Sequence, residues 1–184
     1  MPLQLLPQWK EPKVGLDVLG HYEVRRLLEA DEDGAAITAV LGGQTFEVFD
    51  RKEKVLCALQ VRSLLREEDV RRLAERLQLE SLDSEKRLFL RVRDLGLALP
   101  GHLALVEELP SRSLWREFEN LEERSTQLVP KVAAVANAVL GGLCRLHAYG
   151  WALCGVSPHT VVLTGDGAWK LTGLERARKV RELK

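Results

Sequence analysis

The apolar positions of this chain change period along its length, and those changes divide it. From His21 onward, apolar and polar residues alternate in short runs over 22–28, 36–41, 44–50 and 55–61. Between the runs lie an acidic turn at 29–34, the Gly42-Gly43 pair and a polar turn at 51–54. Short alternating runs joined by such turns predict an antiparallel meander. The period then lengthens over 66–79, where Val70, Leu73 and Leu77 recur at helical spacing among charges. An amphipathic helix is expected there. Alternation returns at 87–93, broken by Phe89, and again at 103–109 after Pro100-Gly101. Residues 1–19, with Pro2, Pro7 and Pro12, read as an extended lead-in.

Beyond residue 110 the pattern is mostly helical. Residues 113–123 predict a short helix with Leu114, Phe118 and Leu121 on one face. A longer, alanine- and valine-rich helix is expected from Thr126 or Gln127 to Tyr149, with Gly150 as its C-terminal cap. The apolar groups 151–153 and 161–163 follow, and the turn at 164–167 joins the latter to 169–171 as a hairpin. The fold class expected from these elements is α+β.

Charge and cysteine usage narrow the functions. Lysine plus arginine and aspartate plus glutamate each number 27 in 184 residues, so the net charge is zero. There is no global electrostatic reason to expect nucleic acid or an anionic membrane as partner. The basic cluster at 176–181 reads as a solvated helical tail. Three cysteines (57, 144, 154) in apolar surroundings and four scattered histidines show no metal-ligand spacing. No cofactor is expected, and the cytoplasm is the natural compartment. The apolar N-terminus lacks a basic leader, and the longest apolar run, 132–143, is too short for a bilayer, so no membrane span is expected.

A resemblance sharpens this reading. Leu146-His147, Gly150, Pro158, Leu163, Asp166-Gly167 and Lys170-Leu171 stand in the order and spacing of a protein kinase's long helix, catalytic loop and metal-binding strand. Upstream, residues 57–61 resemble the lysine-bearing strand, and 105–110 resemble the hinge. The chain therefore resembles the protein kinase-like superfamily over residues 20–179, after which the match stops. The resemblance implies a five-stranded antiparallel N-lobe sheet with one helix (20–110), then a truncated, mainly helical C-lobe (111–184).

It also implies a dead site. Kinase chemistry is positioning plus charge neutralisation, so particular side chains are required. Gln60 stands where the phosphate-binding lysine belongs, with Glu75 as a remnant of its helix partner. Gly155 replaces the catalytic base, Ser157 the catalytic-loop lysine, Thr160 the metal-binding asparagine and Gly173 the other magnesium ligand. The phosphate loop carries Glu29, Asp31, Glu32 and Asp33 instead of glycines. Each would repel a phosphate charge by ~1 kcal/mol at 4 Å in water. Leu153 and Leu174, where a histidine and a phenylalanine would stack, and Ala58, at the adenine roof, stay apolar.

The expectation is a pseudokinase without ATP binding, acting as a protein-binding scaffold or allosteric regulator. The alternatives are an atypical group-transfer enzyme using the same cleft, or a structural subunit of a larger complex. A Cys154–His147 thiol pair and the segment 157–159 are weaker catalytic candidates. Trp115, Trp151 and Trp169 are candidate interface residues. The long helix is apolar around most of its girth (Val129, Val132, Ala133, Val135, Ala136, Val139, Leu140, Leu143). An exposed apolar patch there would bind a protein partner or a second copy. The interaction candidates are Trp169, Val132, Val135 and Val139.

Overall fold

A computed structural model of the chain describes residues 14–28, 44–63, 75, 78–79, 88–99, 102–119 and 128–182. The expected acidic loop at 29–34, the strand at 36–41, most of the helix at 66–79 and Leu121 lie outside the described residues. Glu75, inside that last stretch, is helical.

Six strands, β1 (Asp17–Val18), β2 (Tyr22–Leu27), β3 (Gln44–Asp50), β4 (Val55–Ser63), β5 (Val92–Leu99) and β6 (His102–Glu108), form one antiparallel sheet. Their order is β1-β2-β3-β4-β6-β5. Alternation in β3 and β4 aims Phe46, Val48, Cys57, Leu59 and Val61 at one face, where Val18, Tyr22, Val24, Ala104 and Val106 complete a core. The opposite face buries Leu103 and Leu105 beneath Val92 and Leu95.

After β7 (Arg112–Ser113) come α1 (Leu114–Glu119) and α2 (Leu128–Ala148). Four short strands follow: β8 (Trp151–Leu153), β9 (Val161–Leu163), β10 (Trp169–Leu171) and β11 (Ala177–Lys179). They form a three-stranded sheet, β10-β9-β7, and a two-stranded one, β11-β8. A second core gathers Phe89, Leu114, Leu146, Leu153, Val161, Leu171, Leu174 and Ala177.

This architecture overturns the expected fold class. The described chain is mainly β, with a six-stranded sheet in place of five strands and only two complete helices, so it is not an α+β kinase-like fold with a helical C-lobe. Beyond residue 148 the apolar groups are only two or three residues long. Gly150, Gly155, Gly167 and Gly173, all with φ between 75° and 97°, turn the chain between them. Such pieces satisfy their backbone by pairing with distant segments, as Arg112 does with Leu163 and Ala177 with Leu153. The basic cluster at 176–181 is accordingly strand β11 and a 3-10 turn, not a helical tail.

Two further strand readings shift. The lead-in contributes β1, which pairs with β2. The strand expected at 87–93 begins at Val92, because Phe89 and Leu90 are both buried and residues 88–90 cross to β10. There the Leu90 amide donates to the Leu171 carbonyl and the Leu171 amide to that of Leu88, each at 2.8 Å.

Candidate functional site

Gln60 lies on β4 opposite Leu105, and Ala58 lies opposite Glu107. Gln60 and Glu107 are therefore diagonal neighbours on one face of the sheet. The Gln60 amide Nε2 donates to Glu107 Oε2 at 2.7 Å, with both residues buried. Lys170 on β10 reaches the adjacent Glu108, Nζ to Oε2, at 2.9 Å. Glu75, expected as a partner for the β4 position, accepts a bond from Lys179 Nζ.

Ser157, Thr160 and Gly173 are brought together. The Ser157 amide donates to Thr160 Oγ1 (2.8 Å), that hydroxyl donates back to the Ser157 carbonyl (2.9 Å), and the Thr172 amide donates to the Thr160 carbonyl. A Cβ on Gly173 would lie 3.8 Å from Thr160 Cγ2. Gly155 is exposed two residues before Ser157, facing Arg176. The small residues thus build a turn held by its own hydrogen bonds, beside the buried His159 Nδ1 and Thr172 Oγ1, which make none; Gly155, Ser157, Thr160 and Gly173 include no carboxylate or imidazole. Among the described residues no group of histidine, cysteine or carboxylate side chains could hold a metal ion.

The four interaction candidates converge elsewhere. Val132, Val135 and Val139 on α2 and Trp169 on β10 line one groove of ≈ 380 Å³ with Leu114, Phe118, Ala136 and Leu140. Helical spacing explains the convergence, since 132, 135, 136, 139 and 140 share one side of α2. Val135, Val139 and Leu143 also touch the second core, so α2 is seated along one edge of this stripe. The remainder is open: Val129 is 77% exposed, Val132 53%, Leu140 60% and, across the groove, Phe118 48%.

At one end of the groove Glu117 is buried, with Lys131 Nζ donating to its Oε1 at 2.6 Å. Arg112 Nε lies 2.9 Å from Glu117 Oε2, an ion-pair contact whose angle does not make a hydrogen bond. The apolar stripe was legible in the sequence. The ion triplet was not, because its members lie on three elements and no spacing rule links them.

The other aromatic and thiol candidates separate. Trp115 is exposed and stacks on His159 with ring centroids 5.0 Å apart. Trp151 packs on the second core beneath Lys179, whose Nζ is 5.2 Å from the ring centroid. Cys154 Sγ sits 3.9 Å from the Ala152 carbonyl, and no hydrogen bond joins it to the exposed His147. Burial pushes the Cys57 thiol up to about 11. By length and composition residues 129–148 could cross a membrane, although the apolar run read from the sequence is shorter. Only 11% of that helix's most apolar window is buried.

No protein-family model matches the chain, and no curated protein is detectably similar to it.

Proposed function

We propose that this chain is a non-catalytic protein-binding domain, a scaffold or regulatory subunit that docks another protein on the open face of α2. One observation carries the reading. Val132 and Leu140 on α2 and Phe118 on α1 stay about half exposed or more around a groove with an apolar lining, although both helices contribute to a core. Contiguous apolar surface of this kind is costly to leave in water and marks interaction sites. Its aromatic residues, Phe118 and Trp169, are of the types enriched at interfaces. The non-catalytic half of the reading rests on residue chemistry. The residues gathered around Thr160, namely Gly155, Ser157 and Gly173, offer backbone groups and hydroxyls but no carboxylate, imidazole or amine.

The test is a selection of displayed peptides on the immobilised chain, with a Val132→Asp/Leu140→Asp double variant as counter-target. Both positions are exposed, so the variant keeps its core. Peptides retained at least about tenfold better by the unaltered chain are expected. No enrichment, or equal retention by the variant, would sink the reading.

A further inference from the structure

The rim of the same groove narrows the occupant, an inference that rests on the docking reading above. We propose that the groove receives an amphipathic helix of a partner protein, with an acidic side chain placed against Lys131 and Arg112.

Shape argues for a helix. The α2 wall presents residues at i, i+3, i+4, i+7 and i+8, running about 12 Å at 1.5 Å per residue, or roughly two turns of an occupant helix. Leu114 and Phe118 of α1 face it, with Trp169 completing the lining. Side chains spaced three and four apart on a second helix match such a wall, the helix-in-groove mode of recognition. A peptide added as a β-strand would need a free strand edge. At Leu171 the edge of β10 is already bonded to residues 88 and 90.

Charge argues for an acid. Two cations flank one carboxylate, so the Arg112, Glu117 and Lys131 triplet carries one net positive charge. The carboxylate side chain is 8% exposed beneath them, whereas Arg112 and Lys131 remain 42% and 39% exposed. An approaching molecule therefore meets the cations. The first turn of α2 has no acidic residue, and its amide ends add positive potential at that end. A second copy offers no complement from α2 itself, since residues 128–148 contain no carboxylate.

The probes are two synthetic helical peptides of about 18 residues with one leucine stripe at helical spacing, one flanked by glutamates and the other by lysines. Fluorescence anisotropy reads their binding to the chain, and sedimentation reads its oligomeric state. The glutamate peptide should bind about tenfold tighter or better, and Lys131→Glu should reverse the preference. The advantage should shrink in high salt, because the cations are exposed. Arg112→Ala, judged folded by circular dichroism, should weaken the preference without abolishing binding.

Equal affinity for both peptides would overturn acidic recognition while leaving apolar docking in place. Failure of both peptides, when the display selection still yields binders, would overturn the helical occupant alone. Failure of peptides and selection together would overturn both readings. A dimer dissociated by Val132→Asp would assign the groove to a second copy instead.

Discussion

Asp50 closes strand β3 with a carboxylate that is 2% exposed. Burial, the largest influence, would raise its pKa, but amide bonds from Glu53 (3.1 Å) and Lys52 (2.8 Å) together with the charges of His21 and Arg93 hold it below the ordinary carboxylate value. A depressed folded value means stability that is complete above the unfolded pKa of about 3.9 and lost as pH falls through the folded one. Asp50→Ala should cost about 1–3 kcal/mol at pH 7 by stranding two turn amides. Urea unfolding should show the gap to wild type narrowing below about pH 4; a gap independent of pH would refute the assignment. The neighbouring Tyr22 hydroxyl is pushed the other way, to about 12, by burial and then by Asp50 and Asp94. The turn at 51–54 was legible from its run of charges. That Asp50 faces inward to organise it was not, because its role depends on which sheet face is covered.

At the scale of elements, α2 and β10 approach closely through one residue. A Cβ on Gly142 would lie 2.5 Å from Leu171 Cδ1 and 3.3 Å from Phe89 Cε1, and both of those side chains are fully buried. Glycine costs a helix interior about 1 kcal/mol relative to alanine, and here close helix–strand packing offsets it. Gly142→Val should overpack the junction by about 1–3 kcal/mol and lower Tm by about 2–4 °C for each kcal/mol. Asn137→Ala, at an exposed α2 position, should change stability by no more than about 0.5 kcal/mol. Equal Tm values for both variants would show that the junction tolerates a side chain. The existence of α2 was readable from its apolar content and from Gly150. Which glycine meets a strand was not, since Gly141 and Gly142 are indistinguishable until the strand is placed.

For the whole molecule, Phe89 is the hinge pin between two cores. It belongs to the second core, yet its segment leads directly into the large sheet, where the Glu108 amide donates to the Arg91 carbonyl at 2.8 Å. Phe89→Ala should destabilise by about 3–5 kcal/mol. Calorimetry should then show the melting transition split, the smaller sheets and α2 unfolding before the large sheet. A single transition at the wild-type Tm would rule out this coupling.

The sequence by itself determined the elements whose signal is local. Strands β2, β3, β4 and β6 and helix α2 appear within a few residues of their expected places, because one-sided burial imprints a period of two or 3.6 on the residues themselves. It also determined that Val132, Val135 and Val139 share a face. Tertiary structure alone decided the rest. The patterning and the resemblance to kinases both pointed to a mainly helical second half, whereas pairings across up to about fifty residues of chain made two small sheets there. The β9–β10 hairpin was legible from its turn at 164–167 and stands at the expected residues, but two- and three-residue strands carry almost no periodicity, so distant partners decide β7, β8 and β11. The same holds for the charged end of the groove, where Arg112, Glu117 and Lys131 meet only once α1 and α2 are packed. An apolar stripe is a property of one helix, but a recognition site with a polarity is a property of the surfaces brought together around it.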